Sequence, residues 1–88
     1  MMLNVFVIEN RLVKAFERPI FTQDSNEEFI ERIQRDFRAS DDNAKARMLE
    51  CVVYEVGVYD DNTGKITVHD PLQIFDIGTL KEVQKNEN

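Results

Sequence analysis

From Leu49 to Tyr59 the chain keeps a two-residue rhythm, with Val52, Tyr54, Val56 and Val58 on one side and Cys51, Val53, Glu55, Gly57 and Tyr59 on the other. That period turns successive side chains to opposite faces of an extended backbone, and β-branched and aromatic residues favour it. Asp60-Asp61-Asn62-Thr63-Gly64 follows, rich in residues that bond their own backbone or tolerate positive φ. Lys65-Ile66-Thr67-Val68-His69 then returns as strand, so the two segments predict a β-hairpin and, with it, an antiparallel sheet. Asp70-Pro71 is expected to end the returning strand, because proline has no N–H to give to a ladder.

One face of such a sheet needs a cover, and the segment from Asp24 supplies it. Ser25 as N-cap and Glu28 three positions on form a capping box, and the early acids suit the positive end of the helix dipole. Phe29, Ile30, Ile33 and Phe37 then fall on one helical stripe, and the helix is expected to run to about Arg38. Asp41 or Asp42 can cap a short second helix through Lys45 and Arg47. Upstream, residues 3 to 8 read as a strand apolar on both faces. Arg11 to Glu17 pairs back on it across a turn near Glu9-Asn10-Arg11, and Pro19 makes Arg18 to Thr22 a connection or an edge. Leu72, Ile74, Phe75, Ile77 and Leu80 follow with no assignable period, and residues 82 to 88 are expected to fray. The expectation is one α+β domain over residues 1 to 88, a small antiparallel sheet with one main helix packed on one face.

Composition narrows the function. With 42% apolar and 32% charged residues the chain is of ordinary globular type, and a core this small makes pairing of two copies through an edge or apolar patch, a homodimer, an expectation. Cys51 is the lone cysteine, which excludes an internal disulfide and the Cys pairs of zinc knuckles, and a reducing compartment is expected. The apolar opening reaches Glu9 too early for a secretory signal, and no apolar run approaches the roughly 20 residues of a membrane span, so a cytoplasmic setting without membrane contact is expected. The net charge of −6 opposes indiscriminate binding to nucleic acid, yet it is uneven: residues 1 to 22 carry a net of +1 and residues 51 to 88 a net of −4.

Chemistry-bearing residues are sparse. No nucleophile-base pair stands out around the single histidine, His69, or around Cys51, which sits among apolar neighbours as a small core residue would, so the chain is expected not to be an enzyme and to need no cofactor. The Asp60 to Gly64 run resembles the start of a calcium loop but lacks the later bidentate Glu, so a turn accounts for it and no metal is expected. On the helix, Arg32, Arg35 and Arg38 lie opposite the apolar stripe, and Glu28 and Glu31 stand four residues before Arg32 and Arg35, in position for ion pairs. Lys14 to Phe21 mixes cations and aromatics as a stacking platform for single strands does, although Phe16 and Phe21 also suit a core that has no tryptophan. The candidate nucleic-acid contacts are Lys14, Arg18, Phe21, Arg35 and Arg38.

Three blocks in this order resemble the small nonstructural protein of gokushovirus-type microviruses, tailless phages with single-stranded DNA genomes. They are Leu3 to Ile8 with Val13-Lys14-Ala15-Phe16 and Arg18-Pro19-Ile20-Phe21; the helix Glu27 to Phe37 with Phe29 and Arg32; and Tyr54 to Gly64 with Pro71 and Leu72 following. Where relatives carry a Pro-Glu-Asp-Tyr run, this chain reads Met48-Leu49-Glu50-Cys51. The resemblance implies a nonstructural phage protein in the cytoplasm of the infected bacterium, one that binds DNA or acts in genome replication and the switch to single-strand synthesis for packaging. It brings no catalytic residues. The rival expectation is an adaptor that engages a replication or packaging protein without touching DNA, which the acidity favours.

Overall fold

The computed structural model describes residues 1 to 81, so the expected fraying of residues 82 to 88 lies outside the described residues. Five strands form one antiparallel sheet: β1 (Met2–Asn10), β2 (Ala15–Phe16), β3 (Ile20–Thr22), β4 (Cys51–Asp60) and β5 (Lys65–Asp76). Their order is β2-β1-β4-β5, with β3 also paired to β1 beside β2. Between β3 and β4 come α1 (Asn26–Ala39) and the shorter α2 (Asp42–Met48), and a single turn of 3-10 helix (Ile77–Thr79) follows β5. The α+β expectation holds, with a second helix standing beside the main one.

The helix start is built as its residues dictate. Glu28 N–H donates to Ser25 Oγ at 3.2 Å and Ser25 N–H donates to Glu28 Oε1 at 2.9 Å. Asp41 caps α2 by accepting from Ala44 N–H at 2.8 Å. Phe29, Ile33 and Phe37 are buried and meet Phe6, Cys51, Val53 and Ile77 from the sheet and the 3-10 turn. At the centre, Phe6 and Phe29 stack with ring centroids 4.2 Å apart and planes 4° from parallel.

Several expectations are corrected. The β1 strand runs on to Asn10, and the turn into β2 lies at Arg11 to Lys14, not at Glu9 to Arg11. Of the two readings of Arg18 to Thr22, the edge holds: Ile20 to Thr22 is a strand paired to Phe6, Val5 and Asn4 once Pro19 is passed. Pro71 does not stop β5: Gly57 pairs with Val68 and Glu55 with Leu72, so His69-Asp70-Pro71 bulges opposite Val56 and the strand resumes. An edge strand accepts this, because the proline's missing N–H falls within a break in the ladder. The expected Glu28–Arg32 pair is absent, since Glu28 is engaged by the cap and Arg32 lies 2.7 Å from Asp24 Oδ2. That oxygen is buried and has no hydrogen bond, so the charge contact is what satisfies it. Arg35 and Glu31 form no ion pair among the described residues.

Alternation along β1 sorts the sheet into two faces. Phe6 and Ile8 look toward the helices, whereas Leu3, Val5, Val7 and Glu9 look away from them. On β4 the alternation is broken: Val5 pairs with Gly57 but Phe6 pairs with Glu55, leaving Val56 as an extra residue. The slip turns Tyr54 and Tyr59 to the same face. Gly57 is required there, since a Cβ on it would lie 2.2 Å from the Thr67 carbonyl oxygen. Gly57→Ala therefore forces β4 and β5 apart and is expected to lower stability by roughly 1–3 kcal/mol, measured by chemical denaturation.

The capping box gives a second expectation. The Ser25 N–H bond, then the Ser25 hydroxyl and the Arg32 charge, hold the Glu28 carboxyl below its ordinary value of 4.5. A depressed folded value means the stabilisation is complete above the unfolded value and fades as pH falls through the folded one. Acidification is thus expected to cost wild-type protein more thermal stability than Glu28→Gln, as followed by helical circular dichroism.

Candidate nucleic-acid interface

The face of the sheet turned away from the helices carries four aromatic rings in two pairs. Phe16 pairs with Glu9 on β1, and its ring lies 5.9 Å from that of Tyr54, tilted at 53°. Phe21 pairs with Val5, and its ring meets Tyr59 edge-on at 5.4 Å and 81°. Phe16 is 55% and Phe21 44% exposed, so neither plugs the core. The two stations are four β1 residues apart, about 13 Å at 3.3 Å per residue. Ile66 and Val68, paired with Tyr59 and Gly57, continue the apolar surface across β5 and are exposed. Val5 and Val52 are buried on this same face and stand apart from the cluster beneath the helices.

Charge is thin on these strands. Glu9 is the acid beside the first station, and its Oε1 accepts from the Tyr54 hydroxyl at 2.9 Å, which fixes that ring's position. Lys14 lies in the β1–β2 turn with φ +56°, and Arg18 lies in the β2–β3 connection; both are exposed at the β2 margin. Lys14, Arg18 and Phe21 thus belong to one side of the molecule. Arg35 and Arg38 do not join them, because α1 lies across the opposite face of the sheet. Phe16, Tyr54 and Tyr59 were missed as a group. The one signal in the sequence that foretells their meeting is Gly57, since a glycine inside a strand pattern marks a bulge.

The remaining candidates carry structure. His69 is exposed, with Nδ1 2.7 Å from the Asp70 carbonyl and Nε2 3.7 Å from Glu55 Oε1. Burial, then the nearby Glu17 and Glu50, push the Cys51 thiol above its ordinary value, the reverse of what a nucleophile needs. Its Sγ lies 3.4 Å from the Arg47 carbonyl, at the floor of a cleft of about 240 Å³ between α2 and the sheet. Asp60 accepts from Asn62 N–H at 3.0 Å and Gly64 takes φ +74°, so the acidic run serves the hairpin turn. No helix among the described residues is long and apolar enough to cross a membrane. Compared with protein-family models, curated proteins and solved structures, the chain matches none.

Proposed function

We propose that this chain acts by binding single-stranded DNA across the aromatic face of its sheet, as a nonstructural phage protein assisting genome replication and the switch to single-strand synthesis in the infected cell. The observation that carries the DNA reading is the pair of ring stations, Phe16–Tyr54 and Phe21–Tyr59, on one face of the sheet, with Phe16 and Phe21 exposed and the two tyrosines half-buried beside them. Bases offer a π-face whatever their sequence, so exposed rings in series suit an unpaired strand better than a duplex whose bases are stacked away. Lys14 and Arg18 at the margin supply phosphate contacts, and their small number keeps the interaction weak and salt-sensitive. The phage setting rests on the three sequence blocks, two of which contribute rings to this face: the first, with Phe16 and Phe21, and the third, with Tyr54 and Tyr59. Binding without catalysis is the matching expectation for a chain whose cysteine is held as a thiol and whose histidine faces one carboxylate.

A second reading has its own observation. The strands of the aromatic face bear no cation beside the rings and the chain carries a net charge of −6, which suits a protein surface, a replication or packaging factor or a second copy of this chain, better than a phosphate backbone. The two readings part on titration of a labelled single-stranded oligonucleotide at low salt. DNA binding predicts that Phe21→Ala and Tyr59→Ala each weaken affinity by roughly 1–3 kcal/mol. It also predicts that Lys14→Ala with Arg18→Ala flattens the slope of log affinity against log salt by about 1.4, two phosphates at roughly 0.7 each. Absence of binding, together with a protein partner retained from infected cells after nuclease treatment, establishes the adaptor instead.

A further inference from the structure

The turn joining β1 to β2 presents two aliphatic side chains that the fold does not use. Leu12 is 73% and Val13 65% exposed, among the most exposed large apolar residues of the described chain. The turn is nevertheless built to hold them there. Asn10 Oδ1 accepts from the N–H groups of Leu12 at 3.0 Å and Val13 at 3.4 Å, and Arg11 N–H donates to the Glu50 carbonyl at 2.9 Å. Lys14 closes the turn in the left-handed region at φ +56°, a conformation a lysine adopts only where its surroundings impose it. The result is a hydrogen-bonded turn that carries an apolar tip between two cations, Arg11 and Lys14, with the Arg11 guanidinium 3.6 Å from Asp76.

The tip is continuous with the first ring station. Phe16 follows two residues after Lys14, so the apolar tip and the Phe16–Tyr54 pair lie at one end of the β1–β2 hairpin. From this placement we infer that Leu12 and Val13 form a wedge that seats against the last base pair where a duplex opens into a single strand. This inference rests on the single-strand reading and names its substrate class: a junction of duplex and single strand. Apolar side chains inserted at a base step unstack it, and a base freed at the tip lies next to a ring that can take up the lost stacking. The separation is stoichiometric, because frayed pairs are held open by binding alone. An anionic membrane is the poorer match for the same tip, since attraction to it takes clusters of about 4–8 Lys or Arg.

The test uses the full chain and a forked oligonucleotide carrying a fluorescent adenine analogue at the first paired position, with the unpaired arm alone as comparison. The wild type is expected to bind the fork roughly tenfold tighter than the arm, about 1.4 kcal/mol, and to brighten the analogue as its stacking is lost. Leu12→Ser with Val13→Ser is expected to keep its affinity for the arm while losing both the fork preference and the brightening. Equal wild-type binding to arm and fork with no brightening overturns the wedge and leaves the single-strand reading standing; failure to bind either sinks both. Leu12- and Val13-dependent sedimentation with phosphatidylserine vesicles, together with indifference to the fork, assigns the tip to a membrane and overturns the proposal.

Discussion

The stacking of Phe6 on Phe29 is the contact on which the arrangement depends. It fixes α1 to one face of β1, and with Ile33 and Phe37 it gathers Cys51, Val53 and Ile77 into the main buried cluster. Because strand residues alternate, whatever places Phe6 under the helix also places Val5 and Val7 on the other side. The open face is therefore a consequence of how the core is made. Removing either ring empties the centre of a small core, where loss of a buried phenylalanine costs roughly 3–5 kcal/mol.

A second constraint decides what the open face contains. The extra residue at Val56 shifts β4 by one position relative to β1, so Tyr54 and Tyr59, five residues apart, look in the same direction. Without the shift, Tyr59 would face the helix side and Phe21 would lose its partner. Gly57 permits the shift because the Thr67 carbonyl occupies the space where a side chain would begin. One bulge thus links local backbone geometry to the pairing of rings that a binding role needs, which accords with the frequency of bulges beside functional sites.

Much of the fold is legible in the sequence because its signals are local. The Ser25 and Glu28 box, the stripe from Phe29 to Phe37, the Asp41 cap and the Asp60 to Gly64 turn each depend on residues within a few positions, and each appears as read. What escaped depends on partners distant in sequence. Pro71 reads as a terminator until β5 is known to be an edge with a break opposite Val56. Ile20 to Thr22 reads as a connection or an edge, and only the pairing with β1 decides for the edge. The candidate site divides in the same way: Phe21, Lys14 and Arg18 stand near the exposed rings, but Arg35 and Arg38 look equivalent to them in sequence and fall on the other layer. Phe16 and Phe21 read more readily as core plugs until the register gives them to the open face.

Binding across the aromatic face, and not the helical one, is the central claim. Nuclear magnetic resonance of isotope-labelled protein titrated with a short unpaired oligonucleotide measures this directly. Shifted signals are expected to cluster on Phe16, Phe21, Tyr54, Tyr59 and the turn from Arg11 to Lys14, with Arg35 and Arg38 unmoved. Shifts centred on the outer side of α1, with the four rings unmoved, would contradict it.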